Sequence, residues 1–274
     1  MPALCRGVSG DQARLEKLTE DRPILDRDHM RTLKLTLAYD GTNYAGWQRQ
    51  ANALAIQQVV EEAFAHLNGG VAPTITGAGR TDSGVHALGQ VASVLVDFEH
   101  SPISVLRALN VRLPADIRVL EVVEAPLGFH AQFRATGKVY RYRMITAPVM
   151  LPFDRHFAWH TPWPLNVAFM QSAAERLTGT HDFASFQASG TKITSTTRTL
   201  ERLTVTDLGG ELHIEAAGDG FLRNMVRIIA GTLMEVGSGH RAADSMPAII
   251  EARSRDAAGK TAPPQGLTLL RVLY

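Results

Sequence analysis

The ten residues Gly77-Ala78-Gly79-Arg80-Thr81-Asp82-Ser83-Gly84-Val85-His86 set three glycines within eight positions around one carboxylate. Asp82 is the only acid between Glu62 and Asp97. Glycines without a Cβ let a backbone take positive φ and approach a ligand closely. A carboxylate in such a loop beside Arg80 suits a charge-assisted pair or nucleophilic work. On local spacing alone, a tight turn in which Asp82 bonds its own backbone is the simpler reading. Several chemistries are excluded. No G-x-x-x-x-G-K-[ST] cradles a phosphate, and the stretch lacks the third glycine of a dinucleotide fingerprint. Ser83 lacks the G-x-S-x-G elbow, so no hydrolase triad forms with His86. His86 has no histidine four positions on, which makes it a structural residue before a metal ligand.

A second stretch runs Phe133-Arg134-Ala135-Thr136-Gly137-Lys138-Val139-Tyr140-Arg141-Tyr142-Arg143. Between Glu124 and Asp154 there are four cations and no acid. Strand alternation puts Tyr140 and Tyr142 on one face, with Arg141 and Arg143 on the other. Rings that stack on bases and cations that meet phosphates suit a nucleic acid. An amphipathic edge strand fits the pattern equally well.

In the third stretch, Asp219 to Ile229, Arg223 and Arg227 stand one helical step apart. Val226, Ile228 and Ile229 bracket Arg227, which predicts a partly buried cation in need of a carboxylate. Asp82 is the candidate partner, while Arg223 reads as solvated. Two further stretches, Tyr39 to Gln50 and Gly179 to Phe186, mix polar and aromatic residues as substrate loops do. Neither is diagnostic alone.

These residues need elements to hold them. Leu33, Leu35, Leu37 and Tyr39 alternate as a half-buried strand. Ile56 to Leu67 follows helical spacing and stops at Asn68-Gly69-Gly70. Strands are expected over Thr74–Gly77, Gln90–Phe98 and Ile117–Val123. Ser101-Pro102 opens a helix between the last two. The second half repeats this order: a strand over Val139–Ile145, then a helix capped by Asn166. Strands follow over Leu200–Val205 and Leu212–Ala216, turning at Gly209-Gly210. A long helix spans Phe221–Val236, a short one Met246–Ala252 is capped by Ser245, and a strand Leu267–Leu273 closes the chain. Strand–helix–strand–strand–helix–strand, twice over, predicts an α+β protein of two ferredoxin-like (βαββαβ) halves. Each half has an antiparallel sheet flanked by helices, and the free faces can build an active-site cleft between them. The divisions expected are a flexible extension over 1–30, an N-terminal half over 31–135 and a C-terminal half over 136–274. Met30 is an alternative start of translation.

Composition bounds the rest. In 274 residues, 45% are hydrophobic and 20% charged, enough apolar mass for a sizeable core. The net charge of +1 means that any basic surface is local. The single Cys5 excludes an internal disulfide and a cysteine-rich zinc site. No apolar run of membrane-spanning length occurs and no signal core opens the chain, so a cytoplasmic protein is expected.

From about Arg31 to Tyr274 the chain resembles the tRNA pseudouridine synthase A family. Five blocks carry the likeness in order: YDGTNYAGWQRQ, GAGRTDSGVHALGQVA, FHAQFRATGKVYRYR, GDGFLRNMVRIIAGTLMEVG and QGLTLLRVLY. The resemblance implies isomerisation of uridine to pseudouridine in the anticodon stem-loop of tRNA, by a homodimer without cofactor or metal. It makes Asp82 the catalytic aspartate, Tyr140 the active-site tyrosine and Arg227 the basic partner of the aspartate. Leu267, after Gln265-Gly266, packs against the site. The family's M-V-R block often shows His where this chain has Arg223-Asn224. On this basis Arg80, His86, Arg141 and Arg143 are expected phosphate or base contacts. Three first steps remain open for Asp82: attack on C1′, attack on C6, or removal of a sugar proton. The rival from another class is a noncatalytic RNA-binding module on the same scaffold, since ferredoxin-like folds serve many functions. A small-molecule enzyme is a third possibility, opposed by the acid-free basic strand.

Overall fold

Alternating leucines build the first strand. In a computed structural model that describes residues 30–190 and 193–274, β1 spans Arg31–Tyr39 with Leu33, Leu35 and Leu37 fully buried. The extension expected up to residue 30 lies outside the described residues. α1 (Ile56–Ala65) buries Ile56, Val60 and Phe64 against that face, as one helical stripe should. β2 (Ile75–Gly77), β3 (His86–Val96), α2 (Pro102–Arg112) and β4 (Ile117–Ala125) complete the first half. Ser101 caps α2, its Oγ accepting the N–H of Ser104 at 3.4 Å. β3 begins four residues before the expected strand, directly at the end of the glycine loop.

The second half holds β5 (Gly137–Ile145), the short β6 (Trp159–His160), α3 (Val167–Glu175) and β7 (Gly179–Asp182). β8 (Thr197–Asp207), β9 (Glu211–Gly218), α4 (Met225–Gly237), α5 (Met246–Ala252) and β10 (Leu267–Leu273) follow. Asn166 caps α3, accepting from Phe169 N at 3.1 Å. Ser245 does not cap α5; its hydroxyl donates back to the Ala242 carbonyl at 2.7 Å. α4 begins at Met225 and not at Phe221, because Asn224 takes φ 61°, a left-handed conformation that a right-handed helix cannot include. Arg223 therefore precedes the helix and shares no helical face with Arg227.

Strand order shows the repeat. The first half reads β4-β1-β3-β2 and the second β10-β5-β9-β8, with β7 added at the outer edge. All neighbours in these two orders are antiparallel, and the short β6 pairs with β5 in parallel. The two sheets are not separate. β2 occupies the edge of β3 at Ala92–Val94, and β10 takes the same edge at its other end. That seam is parallel and pairs Thr268 with His86 and Leu269 with Ala87. Gly89 permits it: a Cβ there would lie 2.5 Å from the Leu270 carbonyl oxygen. One hydrophobic cluster accordingly runs under both halves, from Leu33 to Leu269.

α4 is buried along almost its whole length, and β10 lies inside the sheet. Neither offers a free apolar face. Among the described residues no helix is long and apolar enough to cross a membrane. At Gly231, α4 meets the chain at Lys260, where a Cβ would stand 1.8 Å from the backbone oxygen. Since backbone cannot yield as a flexible side chain does, Gly231→Ala is expected to cost about 1–3 kcal/mol or more. A thermal melt showing an unchanged Tm would contradict this close packing.

Candidate active site

The loop from Gly77 to His86 is shaped by a second loop, Tyr39 to Gln50. Asp82 O accepts the N–H of Val85 at 3.1 Å, and Gly84 has φ +76°, the third position of a turn that reserves it for glycine. Thr81 O accepts the N–H of Trp47 at 3.1 Å, while Ser83 Oγ donates to Tyr44 O at 3.1 Å. Gly46, with φ +92°, must be glycine, because a Cβ would meet Thr81 O at 2.3 Å. The Trp47 indole fills the space beside Gly77. Tyr39 hydroxyl and Thr81 Oγ1 share a hydrogen bond at 2.9 Å, with burial pushing the phenol pKa well up. The expected turn is present, but it is closed by the Asp82 backbone oxygen; among the described residues the side chain caps no backbone group and points outward.

That side chain faces Arg227. The Arg227 guanidinium lies 3.5 Å from Asp82 Oδ2, with side-chain exposures of 14% and 34%. It is aimed by two other bonds. Nε donates to Ala262 O at 2.8 Å and an Nη to Asn224 Oδ1 at 3.0 Å. Asn224 owes that position to its left-handed backbone, which asparagine tolerates better than most residues. Sequence spacing alone gave Asn224 no role, since the apolar run around it reads as helix.

Tyr140, on β5, is 7% exposed and meets Phe221 edge-on at 5.1 Å between ring centroids. Burial pushes its pKa well above the ordinary tyrosine value, and the charges of Tyr39 and Asp82 act in the same direction. Leu269 pairs with Tyr140 across the sheet and Leu267 with Tyr142; both leucines are buried. Tyr142 hydroxyl donates to Pro263 O at 2.7 Å, beside the segment that holds Arg227. Asp82, Tyr140 and Arg227 therefore meet on the helix-covered side of the sheet, at the seam between the halves.

The other expected contacts divide. Arg80 is exposed in the Asp82 loop and makes no ion pair among the described residues. Arg141 and Arg143 point to the opposite, open face. Arg141 pairs with Glu215 at 2.7 Å; Arg143 pairs with Glu211 at 2.6 Å and Asp154 at 3.1 Å. With Asp40, His86, Leu120 and Phe157 they line an open cavity of about 460 Å³. His86 is 3% exposed. Its Nδ1 accepts the N–H of Gly41 at 3.1 Å, with Asp40 Oδ1 at 3.2 Å, so the ring ties the Tyr39–Gln50 loop to the foot of β3. No group of three or more His, Cys, Asp or Glu among the described residues is placed to hold a metal ion.

Burial lowers the His86 pKa, outweighing the opposing charge of Asp40. A histidine held neutral in the fold takes up its proton first in the unfolded chain. Its contribution to stability is full above the ordinary value of about 6.5 and declines as pH falls from there toward the lower folded value. His86→Gln should flatten the stability–pH curve over that window. Urea titrations of the two proteins with the same acid-side slope would refute this.

A family model described as tRNA pseudouridine synthase matches residues 36–134 and 173–274. The tRNA pseudouridine synthase A of Halalkalibacterium halodurans is 45% identical over 242 residues, covering 87% of this chain and 90% of its own. That of Acetivibrio thermocellus is 45% identical over 245 residues, covering 89% of this chain and 100% of its own. That of Rhodospirillum rubrum is 45% identical over 242 residues, covering 88% of this chain and 87% of its own.

Proposed function

Because this chain belongs to the tRNA pseudouridine synthase family, we propose that it isomerises uridine to pseudouridine in tRNA, with Asp82 as the acting carboxylate. The observation that carries the assignment to Asp82 is its 3.5 Å approach to an Arg227 that is itself held on two other sides. A cation fixed in this way orients a carboxylate without covering it.

In the reaction the N1–C1′ bond of the nucleotide breaks, the base turns, and C5 bonds to C1′. The proton on C5 leaves and N1 gains one. No atom is lost and no electron is exchanged with an outside partner, so the balance closes without a cofactor. The base must leave its stack to reach Asp82, at a cost of about a few kcal/mol. A pocket that receives it needs an aromatic wall, and Tyr140 supplies one, backed by Phe221. The raised pKa of Tyr140 keeps it a neutral phenol, which favours ring contact with the base over proton abstraction from C5. Leu267 and Leu269 close the floor beneath the two tyrosines. Arg80, exposed one turn from Asp82, is placed to meet the RNA backbone. His86 is buried and holds Gly41, and Arg141 and Arg143 are half-buried and paired with carboxylates, which makes all three supports of the scaffold in this proposal.

The anticodon stem-loop as target, a homodimer as the active form and a cytoplasmic location belong to the same proposal. Their support is the family alone. A noncatalytic binder is disfavoured by the site itself. An aimed carboxylate repels phosphates, which a protein that only binds RNA has no reason to keep.

Pseudouridine mapping of unmodified tRNA is the direct test. Wild type is expected to convert uridine with no cofactor added, and Asp82→Asn to lose turnover by at least about 10³-fold while tRNA affinity changes by less than about threefold. Conversion by the variant at the wild-type rate would remove Asp82 from the chemistry. Tyr140→Phe is expected to retain tRNA affinity within about threefold, as ring contact requires. A large binding defect in that variant would point instead to the hydroxyl.

A further inference from the structure

Arg141 and Arg143 on β5 answer to carboxylates. Lys138 and Arg198 do not. Lys138 stands two residues before Tyr140 on β5, and so on the same, active-site face of the sheet. Its stem and ammonium lie against Gly79 in the Asp82 loop: a Cβ on that glycine would be 2.9 Å from Cε and 3.3 Å from Nζ. Lys138 pairs across the sheet with Gly218, whose missing Cβ leaves room for Thr199 O. The next residue along β8 is Arg198. Its Nε and Cδ lie beside Gly220, one residue before the Phe221 that backs Tyr140.

The electrostatics are unfavourable as the site stands. Burial, with the charge of Arg198 adding to it, pushes the Lys138 ammonium below the ordinary lysine range. Arg198 donates only to the carbonyls of Ser195 and Thr197. Asp219, between Gly218 and Gly220, has its Oδ1 turned onto the backbone N–H of Thr199 at 3.0 Å. Among the described residues neither cation has an ion pair. Two half-buried cations that feel each other's charge, neither with a carboxylate, lower stability unless an anion joins them. Gly79 and Gly220, lacking a Cβ, let the Lys138 and Arg198 side chains lie close against the backbone.

We propose that Lys138 and Arg198 form a seat for one backbone phosphate of the RNA, which fixes the strand so that its displaced nucleotide lies between Asp82 and Tyr140. The identity of the anion as RNA rests on the synthase reading. The seat itself rests on the two cations left without carboxylates. Lys138 is in these terms a positioning residue, since it meets the strand and not the reacting atoms.

The test measures tRNA affinity across a KCl series for wild type, Lys138→Gln, Lys138→Arg, Arg198→Gln and the double variant. Lys138→Gln is expected to raise Kd and KM about tenfold, with the loss falling on KM more than on kcat. The slope of log Kd against log[KCl] should fall by about 0.7–0.9, one phosphate contact. Lys138→Arg should restore both. The double variant should lose little beyond either single change, because both cations serve one phosphate. Thermal melts should place Lys138→Gln at or above wild type, since removing it relieves the repulsion; a lower Tm would mark a structural lysine and overturn the seat. Equal Kd and slope in wild type and Lys138→Gln also overturns it, whatever the turnover. Calorimetric binding of inorganic phosphate to wild type together with unchanged tRNA affinity in the variant overturns an RNA seat in favour of a free-phosphate site. Shifted Kd and slope in a wild type that leaves every uridine unconverted sinks the synthase proposal and keeps the seat.

Discussion

Asp82 and Arg227 are separated by almost the length of a domain in sequence and stand 3.5 Å apart in space. What brings them together is the parallel seam of β3 on β10, where Thr268 meets His86 and Leu269 meets Ala87. Each half alone would leave a sheet edge with unpaired backbone groups. Because β2 covers only one end of that edge on β3, the other end is open to β10. The Asp82 loop is the connection from β2 back into β3, so it opens at the place where the second half attaches. Tyr140 enters by the same route, since β10 carries β5 beside it.

The loop is rigid for reasons that have little to do with RNA. Gly46 and Gly84 supply backbone conformations that other residues reach only under strain, and Gly41, Gly46 and Gly77 allow contacts that a Cβ would block. Trp47, Tyr39 and Thr81 then fill and bond what the glycines leave open. His86 pins the foot of β3 to Gly41. A carboxylate on such a base needs no movement to face Arg227, which Ala262 and Asn224 hold from the other side.

The two faces of the sheet differ in how they treat charge. On the open face, Arg141 and Arg143 are matched by Glu211, Glu215 and Asp154. On the helix-covered face, the cations near Asp82 are left without acids, apart from Arg227. A protein that handles a polyanion gains from this asymmetry: paired arginines stabilise the scaffold, and unpaired ones await the ligand. Strand alternation alone separates the two sets, since Lys138 and Tyr140 face one way while Arg141 and Arg143 face the other.

The sequence by itself determined what depends on neighbours a few residues away. The leucine alternation of β1, the caps at Ser101 and Asn166, the glycine hairpin before β9 and the bounds of β10 were all legible, because periodicity and capping are local. So was the order that makes two ferredoxin-like halves. The local signals failed where a distant partner decides. Phe221 to Asn224 reads as helix, yet Asn224 turns left-handed and gives its side chain to Arg227. Ser245 has the residue type of a cap and bonds elsewhere. The partners of Arg141 and Arg143, Glu215 and Glu211, stand some 70 residues on and are laid beside them only by the sheet. The fusion of two sheets into one, and with it the position of the site, belonged to tertiary structure alone. Strand pairing joins segments that local periodicity cannot relate, and the register of β10 on β3 is set by a glycine, an open edge and a shared core.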